Sequence, residues 1–270
     1  MQLENDNLGD ISVLLEKIYS DRGWDFRDYK KTSLSRRISK RLQAHNIATY
    51  GDYCSVLEAD PAEYYRLFSH ITIKVSEFFR EREVYEALCK AVKSSFPVNE
   101  PIKAWSCGCA YGEEPYSIAI MLSRCLDSYA LRRTKLFATD IDNEALDMAR
   151  RGAYLEDSLR NVPPEVRKEY FYESEGTFRV RHSIRNLVKF GALDIVRNSS
   201  ISGVNLLFCR NLFIYFNKTL QKAVFEKLDY SLKPGGLIVL GKAEVLPASF
   251  SSRYEPVGDK TNIFRKRIAE

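Results

Sequence analysis

Apolar positions from residue 8 to residue 95 recur at helical spacing. Leu8, Ile11, Leu15 and Ile18 make one stripe, and Leu34, Ile38 and Leu42 a second. Val56, Leu57, Tyr64, Leu67, Phe68 and Ile71 continue the pattern across Asp60-Pro61, which reads as a helix start. Phe78, Phe79, Val84 and Leu88 lead into a further helix ending near Phe96-Pro97. The period changes after Pro101. Residues 102–106 read as a short strand, and a glycine-containing turn leads to a helix over 113–126. Strands are expected at 135–139, ending in Asp140, at 204–209, and at 237–240 after the turn Lys233-Pro234-Gly235-Gly236. Helices are expected at 143–150 and 218–232. This alternation predicts an α/β domain with a parallel sheet. It breaks between Arg151 and Phe190, where Pro163-Pro164 punctuates the chain and residues 178–180 alternate like an exposed strand. A small inserted subdomain fits that stretch.

Composition narrows the class. In 270 residues, 45% are apolar and 29% charged, enough for a real core and too ordered a mixture for general disorder. The longest apolar runs, such as 204–209, are too short to cross a bilayer, so no membrane insertion is expected. The first ten residues are polar and acidic, without a signal-peptide core, and point to the cytoplasm. The net charge of +5 is mild and does not by itself indicate nucleic acid. Six cysteines include no C-x-x-C pair, and the three histidines are scattered, so no metal site is expected. Cys107 and Cys109 read as small residues in a tight turn rather than a redox pair. Reduced thiols suit the cytosolic setting.

Chemistry gathers at the first strand–helix junction. WSCGCAYGEEPYS (105–117) is a strand, a loop with Gly108 and Gly112, and a helix start. Glycine lets backbone approach a ligand, and a helix N-terminus offers free N–H groups. The spacing is not that of a dinucleotide loop. Glu113 and Glu114 would repel a pyrophosphate and suit a cationic ligand, although acids in a first helical turn are favourable anyway. Asp140 lies at the carboxyl edge of the next strand, where it can accept from ribose hydroxyls. It could instead cap the following helix, but Asp142 can fill that role. An acidic loop plus a ribose-binding acid, without a phosphate cradle, points to S-adenosylmethionine.

Five motifs then occur in one order: FFRE (78–81), GEEPYSIA (112–119), ATDID (138–142), FCRNLFIYF (208–216) and LKPGG (232–236). Together they resemble the chemotaxis receptor methyltransferase family, CheR, over nearly the whole chain. The resemblance implies an N-terminal helical domain, here 1–85, and a Rossmann-like methyltransferase domain, 86–270, with a β-subdomain at about 151–186. It implies methylation of glutamate side chains on chemoreceptor signalling helices, with S-adenosylmethionine converted to S-adenosylhomocysteine. It places Glu114 near the methionine amino group, Asp140 at the ribose, Asp194 and Ile195 at the adenine, and Arg210 and Asn211 along the cofactor. Lys74, Ser76 and Arg80 also match cofactor-site positions, and Arg80 and Tyr215 face the transferring methyl. A glutamate is already ionised near pH 7, so the chemistry asks for positioning rather than a general base. Arg80 can hold the substrate carboxylate by its fork of N–H donors.

The chain departs from the family at several of these places. Lys74 and Ser76 stand where Asn and Thr are usual, Ala110-Tyr111 where Ser-Thr is usual, and Asp194 where Asn is common. An ion pair between Lys74 and Asp194 is expected at the cofactor rim. Without it, the Lys74 charge would oppose a sulfonium.

Residues 27–45 carry seven Lys or Arg against Asp28 alone. Arg37, Lys40 and Arg41 share a helical face, with Arg36 beside them, while Leu34, Ile38 and Leu42 take another. A solvated basic face is the ordinary explanation. The resemblance favours docking onto acidic receptor helices. No aromatic platform or nucleic-acid module accompanies the run, so nucleic acid is not an expected partner. Family members that dock a receptor's C-terminal pentapeptide use a glycine-containing insertion on the β-subdomain. The stretch here, YESEGTF (172–178), is short, which predicts pentapeptide independence. A monomer is expected. The competing readings are a methyltransferase with another substrate and a non-catalytic cofactor-binding module.

Overall fold

The structure, a computed structural model, describes residues 9–97, 99–258 and 261–268. The chain gathers into two units: residues up to Ile73 with Tyr215–Ala223, and Lys74–Ile214 with the chain from Val224 onward. The first holds α1 (Ile11–Arg22), α2 (Lys31–Ala44), α3 (Tyr50–Ala59) and α4 (Pro61–Ile71). The apolar stripes of the sequence are its core: Ile11, Leu15 and Ile18, then Leu34, Ile38 and Leu42, then Leu57, Leu67 and Ile71 are all buried. Leu8, the first position of that pattern, lies outside the described residues. Caps set the boundaries. Asp10 accepts from Ser12 N–H, Thr49 from Asp52 N–H, and Asp60 both ends α3 and caps α4 ahead of Pro61.

The second unit begins with an irregular stretch that turns at Phe78–Arg80, then α5 (Arg82–Ser95). The expected boundary after residue 85 falls inside this helix. Val84, Tyr85, Leu88 and Val92 of α5 belong to the core under the sheet, which is why the helix stays with the second unit. The alternation continues as β1 (Lys103–Cys107), α6 (Glu113–Cys125), α7 (Ser128–Arg133), β2 (Lys135–Asp140) and α8 (Asn143–Arg151). The insert holds β3 (Ala153–Tyr154), α9 (Pro164–Tyr170), β4 (Phe171–Ser174) and β5 (Thr177–Val180), with sheet order β3-β5-β4. After α10 (His182–Arg185) come β6 (Val188–Ala192), β7 (Val204–Cys209), α11 (Lys218–Ser231), β8 (Leu232–Leu240), β9 (Tyr254–Pro256) and β10 (Ile263–Lys266).

The main sheet has the order β6-β2-β1-β7-β8-β10-β9. Its first five strands are parallel, and β10 and β9 add antiparallel to the edge. The turn expected at 233–236 is instead part of β8. Pairing jumps from Val204↔Leu232 to Leu206↔Leu237, so the intervening residues bulge, with Gly235 at φ +75°. Trp105 is fully buried in β1, and its Nε1 donates to Thr139 Oγ1 at 2.9 Å, tying the middle of β1 to the end of β2.

One expectation is corrected: the thiols are not all reduced. Cys89 of α5 and Cys125 of α6 form a disulfide with Cα atoms 6.0 Å apart. Side-by-side helices bring together residues 36 apart in sequence, a proximity that cysteine spacing does not reveal. Among the described residues, no helix is long and apolar enough to cross a membrane.

Candidate functional site

Of the site residues of the second unit, Lys74, Ser76 and Arg80 lie on the segment before α5, and the others sit at the carboxyl ends of β1, β2, β6 and β7. After β1 the chain turns back on β2: the Gly108 and Cys109 N–H groups both donate to Thr139 O, at 2.8 and 3.0 Å. Ala110 then takes φ +46° and donates its N–H to Asp140 Oδ2 at 2.8 Å. Gly112 holds φ +95°, and a Cβ there would lie 2.8 Å from Ala149 Cβ, so α6 can begin this close to α8 only from glycine. Tyr154 donates its hydroxyl to Tyr111 O at 2.8 Å. The loop is therefore held through its own main-chain groups, and Ala110-Tyr111 serve it without the usual Ser-Thr pair.

Three acids line this edge. Glu114 Oε1 accepts from Ser106 Oγ at 2.8 Å, and its Oε2 stands 3.7 Å from Arg210 Nη1. Asp140 accepts from Ala110 N–H and, at 3.0 Å, from Asp142 N–H, which leaves lone pairs on both oxygens. Asp194 Oδ1 accepts from Val196 N–H at 2.8 Å. Burial pushes all three carboxyls above the ordinary range; neighbouring cations and N–H donors only partly oppose it. A cation bound among them would offset that cost. Ile195 follows, buried, and its carbonyl accepts from Lys227 Nζ at 3.0 Å. The same ammonium holds Val196 O and Asn198 O, so Lys227 of α11 fixes the loop after β6. Sequence reading missed Lys227, because a lysine on an amphipathic helix looks like any solvated one.

The capping alternative for Asp140 is settled by its neighbour. Asp142 Oδ1 accepts from Ala145 N–H at 2.9 Å and caps α8. The other oxygen corrects a second expectation. Lys74 pairs with Asp142 Oδ2 at 2.6 Å and forms no ion pair with Asp194 among the described residues. A carboxylate has two oxygens, and the cap uses only one. The Lys74 charge is thus compensated without Asp194, which has Arg197 and Lys227 in its field instead. Ser76 bonds the Glu113 carboxylate.

The FFRE segment is unusual in its backbone. Phe79 and Glu81 both have positive φ, +49° and +59°, a region that side-chain-bearing residues seldom adopt. Phe79 is fixed by its N–H to Ser117 Oγ at 2.9 Å, and Glu81 by Arg210 Nη2 at 2.6 Å. Arg80 lies between them, partly exposed, with no hydrogen bond or ion pair among the described residues, and its charge reaches Glu114. Arg210 is buried between Glu81 and Glu114. Burial works against its charge, but Tyr85, Glu114 and Glu81 outweigh it. The pairing role of Glu81 was missed, although its place in FFRE was a signal. Asn211 follows at φ +60°.

Tyr215 groups with the first unit. Its carbonyl accepts from Lys30 N–H at 2.8 Å, and the Arg37 guanidinium lies 4.8 Å over its ring. Arg36, Arg37 and Lys40 line one cavity of about 310 Å³ with His70 and Ile73. Arg41 does not join them. Its Nε and Nη2 donate to Glu63 Oε1 and Oε2 at 2.7 and 2.6 Å, and Glu63 is 0% exposed. Helical spacing places Arg41 near that face, but a buried carboxylate on α4 turns it inward.

Comparison with known proteins identifies the family. The family described as CheR methyltransferase, SAM binding domain, matches residues 74–263, and CheR methyltransferase, all-alpha domain, matches residues 9–72. The chain is 34% identical to Cher3 of Pseudomonas putida, over 95% of this chain and 96% of that one. It is 34% identical to a chemotaxis protein methyltransferase of Salmonella typhimurium, over 86% of this chain and 82% of the other. The Escherichia coli chemotaxis protein methyltransferase is 32% identical, over 84% and 81%. The chain thus belongs to the CheR methyltransferase family, and its second unit carries that family's S-adenosylmethionine-binding domain.

Proposed function

We propose that this protein is a cytoplasmic protein-glutamate O-methyltransferase that acts, as a monomer, on acidic signalling helices of chemoreceptors. The observation that carries the reading is Arg80: an arginine with no hydrogen bond or ion pair among the described residues, held between two left-handed residues, in the field of the half-buried Glu114. When bound, S-adenosylmethionine supplies a methyl on a sulfonium, which an ionised carboxylate takes in one displacement. The half-buried acids suit that ligand's charge. Glu114 would hold its amino group, Asp140 its ribose hydroxyls, and Asp194 and Ile195 its adenine. Lys74, Ser76, Arg210 and Asn211 would complete the wall. Because Lys74 is compensated by Asp142, it sets no full charge against the sulfonium.

Arg80 would orient the substrate carboxylate through its planar donors, and Tyr215 through its hydroxyl. Docking of receptor helices is assigned to Arg36, Arg37 and Lys40, with Arg41 withdrawn. Pentapeptide independence is supported by the β4–β5 connection, where Glu175 and Gly176 make a tight turn at φ +52° and +70°. Labelled S-adenosylmethionine incubated with receptor-containing membranes should give base-labile methyl incorporation. Arg80→Ala should lower that rate about 100-fold at saturating cofactor. Base-stable label, or none, would reject the assignment.

A further inference from the structure

β7 and β8 are parallel neighbours, and each ends in a turn. The turn after β8 buries a carboxylate, Glu244, only 3% exposed. Its Oε2 accepts from Asn211 N–H at 2.8 Å and Gly241 N–H at 2.7 Å, and its Oε1 from Phe213 N–H at 2.7 Å. It makes no ion pair among the described residues, so its known partners are backbone donors from two turns. A buried carboxylate is stable only where such donors are fixed. Asn211 at φ +60° helps place two N–H groups of one turn on a single carboxylate. At Gly241 a Cβ would sit 2.8 Å from both Asn211 N and Glu244 Oε2, so only glycine allows the approach. Asn262 Nδ2 donates to Gly241 O and Glu244 O, at 2.7 and 2.8 Å, and holds the second turn from behind.

We infer that Glu244 is a positioning residue whose carboxylate fixes the backbone over 210–213 and so aims Arg210 and Asn211 at the cofactor. This rests on the cofactor role proposed for those two residues. Glu244 also stands close enough to add its charge to the field on Glu114. The methyl group is never within its task. It acts only through the loop.

Asp229 is the natural control. It is a buried carboxylate of the same unit, accepting from Arg253 and Tyr254 and paired with Lys266, on the opposite flank of β8 from Glu244's loop partners. Glu244→Gln keeps the side-chain length but turns an NH₂ toward N–H donors. S-adenosylhomocysteine affinity of the full chain, measured by calorimetry, should fall about tenfold or more. Asp229→Asn should lower the melting temperature and leave that affinity unchanged. If Glu244→Gln does not fold, Glu244→Asp, which keeps the charge and shortens the reach, should fold and still lose affinity several-fold. Folded Glu244 variants that bind as the unmodified protein does, while Asn211→Ala binds weakly, would overturn the inference. Unchanged binding by Asn211→Ala would instead overturn the loop's assignment to the cofactor.

Discussion

Glu113 and Glu114 are neighbours in sequence with different surroundings. Successive helical residues point about 100° apart. Glu114 meets Ser106 and Arg210, whereas Glu113 is buried with its Oε2 unpartnered. Burial pushes the Glu113 carboxyl up to about 7, against the opposing pull of its own N–H and the Ser76 hydroxyl. The folded protein therefore holds a proton that the unfolded chain has released above its ordinary value of 4.5. That contribution is whole below about 4.5 and is lost as pH rises through about 7. Glu113→Gln removes the proton exchange, so its melting temperature should fall less than that of the unmodified protein between those values. Parallel curves would reject this. The sequence could name two acids here but not tell their roles apart. It likewise paired Lys74 with the wrong aspartate, because the second oxygen of a capping residue is not visible in a motif.

Among the elements, α2 shows what patterning can and cannot convey. Its apolar stripe was legible, and Leu34, Ile38 and Leu42 are buried as expected. Its basic side was read as uniform, yet Arg41 joins Glu63 of α4 and, through Glu63, Tyr53 of α3. Burial alone would raise the Glu63 carboxyl, but hydrogen bonds from Arg41, Tyr53 and Arg66 outweigh it and hold it at about 2. This stabilisation is present above the ordinary value of 4.5 and is lost as pH falls toward 2. Removing one partner strands the other charge. Arg41→Ala should cost about 3–5 kcal/mol in urea unfolding at pH 7, whereas Arg36→Ala should stay within about 0.5 kcal/mol. Equal effects would remove the distinction. Strands were legible where the sheet is parallel and buried; β6, parallel but largely uncovered at the sheet edge, was not. The antiparallel edge of β9 and β10 was not, since short edge strands carry little alternation, and proline and glycine in β8 imitate a turn.

At the scale of the whole molecule, the mild net charge conceals a division. The exposed cations of α2 belong to one unit, and the half-buried acids Glu114, Asp140 and Asp194 to the other. Exposed charges act at a distance and are screened by salt. The double variant Arg36→Ser/Lys40→Ser should therefore slow receptor methylation about tenfold at low salt, with the difference shrinking as salt rises. Its cofactor affinity should match that of the unmodified protein. Unchanged receptor kinetics would remove the docking role. The motifs made the family legible because they are local. The unit boundary was less so, because it is drawn by packing across long separations. The first unit is itself discontinuous: Lys30 N–H meets Tyr215 O, Tyr29 bridges Phe216, and Asn217 bonds Asp28 across 189 residues. A ribosome delivers the N-terminal helices early and the segment that closes them only after most of the chain has been made. Those helices must wait, exposed, through that interval, and a product cut off before Tyr215 never acquires its closing segment, Tyr215–Ala223. The order of synthesis thus makes extension through Ala223 a condition for a finished basic unit.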